Sequence, residues 1–175
     1  MRSEWVNDEN IQHVLAALMD ENRLACEVCL ETGLRIGDVL AIKSEDILRS
    51  ERFVIKEEKT GKRRRVYFSQ KLREKMISNA GKIFVFEHRT DYTKHRTRQT
   101  VFKDLRRAAK AFRVTAHVTP HSLRKMYAVE HFKRTGGNLA KVKELLNHSD
   151  EAVTMIYALA DCQVVPKKKR RLTSK

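Results

Sequence analysis

The sequence predicts a mainly α-helical domain with one small antiparallel β element, an α+β fold. Apolar residues recur at three- and four-residue spacing along most of the chain, the mark of amphipathic helices. Two short runs of β-branched and aromatic residues, FVI at 53–55 and VYF at 66–68, flank a Thr60-Gly61 turn. Gly33, Gly81 and Gly136-Gly137 fall where the helical periodicity stops.

In order, Ile11, Val14, Leu15 and Leu18 form the stripe of a first helix, with Asn7 placed to cap it. A second helix is expected over residues 22–31, ending at Gly33, and a short third over 36–43 with Val39 and Leu40 inward. KEEKTGKRRR then joins the two strands into a hairpin with a basic tip. A helix over 70–79 ends at Gly81, and IFVF at 83–86 reads as a short third strand or as a buried connector. EHRTDYTKHRTRQ reads as an exposed loop. Val101, Phe102, Leu105, Ala108, Ala109 and Phe112 give the clearest amphipathic helix. Pro120 suits the first turn of the next, which Gly136-Gly137 break. Asn138 can cap a helix bearing Leu139, Val142, Leu145 and Leu146 on one face. Ser149 or Asp150 can cap a last one carrying Val153, Ile156 and Tyr157. Residues 1–165 read as one domain and 166–175, PKKKRRLTSK, as a flexible basic tail.

The length of 175 residues fits a single domain, and a hydrophobic content of 41% supports a real core. The net charge is +15, from 37 Lys and Arg against 22 Asp and Glu; setting aside the tail's six bases leaves 31 against 22. A polyanionic partner follows, and nucleic acid is the commonest, although charge alone does not separate DNA from RNA or an anionic membrane. No apolar run approaches the ~18 residues of a membrane span, and MRSEWVNDEN has no apolar signal core. A soluble, cytoplasmic protein is expected, with nuclear import through the tail as an alternative. Cys26, Cys29 and Cys162 are too few and odd in number for a disulfide framework. Cys26-x-x-Cys29 lies in an apolar helical stretch with no second ligand pair, which points to core packing rather than zinc or redox chemistry.

Four places can carry chemistry, and each alone has an ordinary structural explanation. Arg35, just past Gly33 at a helix start, can offer a fork of donors to a phosphate or can pair with Asp38. Lys59 at the hairpin tip can reach a DNA groove or sit in solvent, with Lys56 and Lys62 as rivals. His121 and Arg124, three apart on a helix, share a face suited to an anion whose charge grows during reaction. His148 and Tyr157 lie nine residues apart, each in a setting where a lone residue of its kind is usually structural.

The ordered set Arg, Lys, His-x-x-Arg, His, Tyr in a basic helical chain resembles the tyrosine recombinase, or phage integrase, family. The matching segments are TGLRIGDVLAIKSEDI, the KTGK turn with its basic strand, PHSLRKMYAVEHF and LAKVKELLNHSDEAVTMIY, together covering about residues 8–160. The last is the most specific, because the leucine pair, His148 and Tyr157 keep the family's spacing. The resemblance implies the integrase catalytic-domain fold. It assigns Arg35 and Arg124 to the phosphate-clamping arginines, Lys59 to the hairpin lysine and His121 to the first histidine. His148 takes a position that holds His or Trp, Tyr157 that of the nucleophile, and Asp38 that of an acid buttressing the fold. Asn147 stands where Gly is frequent, and Asn tolerates the left-handed backbone such a turn needs. Only about seven residues precede the first helix. The DNA-clamping domain that usually comes first is therefore expected to be absent, as in an excised fragment or a minimal recombinase for small inversions.

The resemblance further implies metal- and ATP-independent DNA cleavage through a 3′-phosphotyrosyl intermediate, with no cofactor. The activity would be that of an integrase, excisionase or invertase. Lys59 would act as general acid, and His121 would either accept the tyrosine proton or merely support the phosphate. Lys62, Arg63 and Arg64 of the hairpin, with Lys94, Arg96 and Arg98 of the polar loop, are the expected DNA contacts. Implied partners are double-stranded DNA, further copies of the chain in a tetramer on that DNA, and accessory DNA-bending proteins. Type IB topoisomerase-like relaxation and a non-catalytic DNA-binding regulator are the alternatives. Loss of Arg35 or Arg124 is expected to depress cleavage far more than folding stability.

Overall fold

Burial of the helical stripes organises the computed structural model, which describes residues 8–146. The expectations for Asn7, Asn147, His148, Ser149, Asp150, Val153, Ile156, Tyr157, Cys162 and the basic tail lie outside the described residues. Helices α1 (Asp8–Ala16) and α2 (Asp20–Thr32) come first. Ile11, Val14, Leu15 and Leu18 are all buried. α2 is the central helix, packing against α1, α3, α5, α6 and α7. It buries Leu24, Ala25, Cys26, Val28 and Cys29. Burial pushes the Cys29 thiol up to about 12 and raises Cys26 as well, so both act as small core hydrophobes. Gly33 ends α2 at φ 64, where its N–H donates to the Cys29 carbonyl at 2.8 Å.

Helix α3 (Ile36–Leu40) is shorter than the expected 36–43. Ile42 and Lys43 leave the helix to pair with the connector at 83–86: the Val85 N–H donates to the Ile42 carbonyl at 3.0 Å, and Lys43 bridges Phe84. The connector reading of IFVF therefore holds, with Val85 and Phe86 buried. Helix α4 (Ser44–Arg49) has no counterpart in the sequence-based reading. It is too short to show a period, although Glu45 and Asp46 in its first turn suit a helix N-terminus.

Strands β1 (Arg52–Lys56) and β2 (Arg63–Tyr67) form the expected antiparallel hairpin, in register from Arg52 opposite Tyr67 to Lys56 opposite Arg63. Arg63, Arg64 and Arg65 belong to the strand rather than to the tip. Phe68 lies just past the strand's end, buried and stacked on Phe53 at 5.3 Å between ring centroids. Phe53, Ile55 and Val66 face the core, while Arg52, Val54, Lys56, Arg63, Arg65 and Tyr67 face solvent.

Helix α5 (Gln70–Ser78) starts at Ser69, whose hydroxyl accepts from the Leu72 N–H at 3.3 Å. Helix α6 (Arg98–Ala111) buries Val101, Leu105, Ala108 and Ala109. Phe102 and Phe112, expected on the same stripe, are 39% and 47% exposed at its margin and its end. Asp104 of α6 accepts from the Met19 N–H at 3.0 Å and from Asn22 Nδ2 at 2.8 Å, fastening the α1–α2 junction. Burial acts to raise the Asp104 pKa, and bonds from Asn22, Arg107 and Met19 outweigh it. Helices α7 (Pro120–Arg134) and α8 (Leu139–Leu146) follow. Gly136 and Gly137, both at positive φ, separate them, and Asn138 Oδ1 caps α8 by accepting from the Lys141 N–H at 3.1 Å. Among the described residues no helix is long and apolar enough to cross a membrane.

Candidate active site

Leu34 is fully buried, and Gly33 before it turns the chain sharply at the end of α2. Between them these fix Arg35 in extended backbone just ahead of α3. Arg35 Nη1 donates to Glu57 Oε2 at 2.8 Å, and the Glu57 side chain has no exposed surface. The same oxygen accepts from Thr60 Oγ1 at 2.9 Å. Asp38, on α3, accepts from the Glu58 N–H at 2.9 Å. Burial pushes the Asp38 carboxyl above its usual range and Glu57 adds to this, against the Glu58 N–H, Arg35 and Arg124. Two acids thus attach the hairpin turn to the start of α3.

Arg124 lies in the first turns of α7 and is 1% exposed. Its Nη1 donates to the Gly33 carbonyl and its Nη2 to the Leu146 carbonyl at 2.9 Å. Arg64 reaches the same corner, donating to the Thr32 and Gly33 carbonyls and to the Tyr127 hydroxyl. Burial lowers the Arg64 pKa, with Tyr127 and Glu57 acting the other way.

These elements leave a cleft of about 600 Å³ in which Arg35, Lys59, Arg98, His121 and Arg124 meet, with Asp38 and Glu58 also in its lining. Four of the six expected catalytic residues converge there; the other two, His148 and Tyr157, lie outside the described residues. Arg98, expected only as a DNA contact, lines the same cleft. Three guanidinium groups, an ammonium and an imidazole around one open depression suit a phosphodiester, whose non-bridging oxygens accept several charge-assisted bonds.

The remaining expected DNA contacts are dispersed. Lys62 follows the turn and is exposed. Arg63 and Arg64 line a second groove of about 940 Å³ with Tyr67, His131 and Arg134. Lys94 pairs with Asp91 at 2.8 Å on the exposed loop. Arg96 turns away from solvent, donating to Asn22 Oδ1 at 3.2 Å and pairing with Glu21 at 3.5 Å. The reading of that loop as exposed fails at this residue.

One expectation changes outright. Arg124 satisfies two backbone carbonyls from a buried position, and Arg35 neutralises a buried carboxylate. Removing either leaves buried polar groups without partners, so folding stability must fall together with any activity. The sequence-based reading missed Glu57, although the signal was present: counting alternately from Phe53 and Ile55, residue 57 is the next inward position.

The sequence model of the phage integrase family matches residues 4–163. The integrase of Escherichia phage P2 is 31% identical over 155 residues, covering 88% of this chain and 42% of that protein. A tyrosine recombinase of Thermosipho africanus is 30% identical over 166 residues, covering 88% of this chain and 56% of that protein. The chain therefore spans about half the length of these curated relatives. A crystal structure of a lambda integrase (75-356) dimer bound to a COC' core site superposes with a TM-score of 0.74 at 22% identity, covering 89% of this chain and 59% of the other. With a family match over nearly its whole length, the chain belongs to the phage integrase family.

Proposed function

We propose that this chain is the catalytic domain of a tyrosine recombinase, breaking and rejoining DNA through a covalent bond from Tyr157 to a 3′ phosphate. The observation that carries the reading is the meeting of Arg35, Lys59, His121 and Arg124 in one cleft, from segments far apart in sequence. A phenol of ordinary pKa ~10 is a weak nucleophile at neutral pH, so it needs positive surroundings and in-line placement. Arg35, Arg124, His121 and His148 neutralise the non-bridging oxygens as charge grows on them. The Tyr157 oxygen bonds to phosphorus, its proton passing to His121. The bond from phosphorus to the 5′ oxygen breaks, and that oxygen takes a proton from Lys59. A 5′ hydroxyl of a second strand reverses the step and rejoins the DNA. One phosphodiester is exchanged for another, so no ATP is consumed. Because side chains supply the positive charge, cleavage proceeds at full yield in EDTA.

Duplex DNA is the partner, and strand exchange brings several copies of the chain together on it, in keeping with the DNA-bound dimer described for lambda integrase. The test is covalent capture. The chain is incubated with duplexes randomised around a nick, so that the freed 5′ fragment diffuses away, and protein–DNA adducts are sequenced. Wild type should give denaturant-resistant adducts at a defined junction, and Tyr157→Phe should bind the captured duplex without forming one. A wild type that binds yet leaves no adduct, or a Tyr157→Phe protein that leaves as much, overturns the proposal.

A further inference from the structure

We infer that Glu57 is a positioning residue that couples Arg35, which clamps the phosphate, to Lys59, which protonates the leaving group; this rests on the function proposed above. Glu57 lies one residue past β1, at the inward position of the strand's alternation, and is fully buried. Its Oε2 takes two bonds, from Arg35 Nη1 at 2.8 Å and from Thr60 Oγ1 at 2.9 Å. Thr60 is the neighbour of Lys59, and its hydroxyl also accepts from the Lys62 N–H at 3.3 Å. The Glu57 backbone closes the turn as well: its carbonyl accepts from the Gly61 N–H at 2.8 Å, and its N–H donates to the Lys62 carbonyl at 2.9 Å. One carboxylate oxygen thus joins the guanidinium on one wall of the cleft to the turn that carries the ammonium on another.

Burying a carboxylate is costly unless charge-assisted bonds compensate it. A short hairpin turn needs no such group merely to close, since Gly61 at φ 65 already supplies the required conformation. Asp38 holds the backbone at Glu58. Glu57 bonds both the Arg35 guanidinium and the turn through one oxygen, and so sets the placement of both groups at once.

Leaving-group chemistry separates the two arms. With an oxygen at the scissile 5′ bridge, departure requires the Lys59 proton. With a sulfur there, the group leaves as a thiolate and needs none. A variant whose only fault is a misplaced Lys59 is therefore restored by sulfur, whereas a fault at Arg35 persists on either DNA.

The full chain and its Lys59→Ala, Thr60→Val and Glu57→Ala variants are compared on the duplex captured above, made with oxygen or with sulfur at that bridge. Wild type should form adducts on both. Lys59→Ala should slow cleavage of the oxygen duplex by about 10²–10⁴-fold and recover on sulfur. Thr60→Val, which leaves the Arg35 bond in place and removes both bonds of the Thr60 hydroxyl within the turn, should lose roughly ten- to a hundredfold on oxygen and recover on sulfur. Glu57→Ala should be slow on both, with the oxygen deficit about tenfold or more the larger. Equal fractional losses on the two duplexes, or wild-type rates throughout, in folded Thr60→Val and Glu57→Ala overturn the inference alone. Should Glu57→Ala not fold, Thr60→Val decides. A wild type without adducts on either duplex overturns the proposed function and this inference with it.

Discussion

Arg124 Nη2 donates to the Leu146 carbonyl at 2.9 Å, so the arginine at the floor of the cleft is fastened to the last turn of α8. Its other arm holds the Gly33 carbonyl. Arg124→Ala strands both carbonyls at ~1–3 kcal/mol each, and we expect a total loss of about 2–5 kcal/mol together with loss of DNA cleavage. Urea unfolding measures the first and adduct formation the second. An unchanged unfolding midpoint would show that these bonds do not hold the helices together.

Gly33 admits no side chain. A Cβ added there would run into the Tyr127 ring at Cδ1, and the backbone is in the left-handed region. Gly33→Ala should destabilise by more than the ~1–2 kcal/mol of left-handed strain alone. In a Tyr127→Ala background the clash is gone and only the strain persists, so the two changes should be strongly non-additive. Additive effects in a double-mutant cycle would contradict the close approach.

Arg96 and Arg98 are two residues apart and should behave oppositely. Arg96→Ala removes bonds to Asn22 and Glu21 and should cost about 1–2 kcal/mol of stability. Arg98 occupies the first turn of α6, where the helix dipole disfavours a cation, and it lines the cleft. Arg98→Ala should leave stability within ~0.5 kcal/mol. It should also weaken DNA binding and reduce the slope of log K against log salt by about 1. Equal effects of the two substitutions on DNA affinity would refute this division of labour.

Asp38 gives a signature in pH. Its pKa in the folded chain is raised from 3.8, so the native state holds that proton more tightly than the unfolded chain does. Stability contributed by this group falls as pH rises from about 3.8 through the raised value, then levels off. Asp38→Asn lacks this limb. The wild-type stability minus that of the variant should decline across the window, as read from urea midpoints at several pH values. A difference that grows with pH would reverse the assignment.

Much of this was legible in the sequence, for reasons visible in particular residues. The α1 stripe, the Gly33 stop, the Thr60-Gly61 turn and the Asn138 cap are local signals, each contained within a few residues. The convergence of Arg35, Lys59, His121 and Arg124 was legible only through family resemblance, because no local pattern brings residue 35 to residue 124. The partners of those residues were not legible. Arg96 turns inward because Asn22 and Glu21 wait there, 74 residues earlier for Asn22, and nothing in EHRTDYTKHRTRQ announces it. Phe102 and Phe112 fitted a helical stripe, but burial also depends on how wide a face the neighbouring helices cover.

The bonds of Arg124 also impose an order on biosynthesis. Its two acceptors are 91 residues upstream and 22 residues downstream. Closing a loop costs entropy that grows slowly with its length, and neither bond can form before its later partner is made. A growing polypeptide therefore contains α1, α2 and the hairpin before the floor of the cleft can close. Until Leu146 has left the ribosome the floor lacks one of its two anchors.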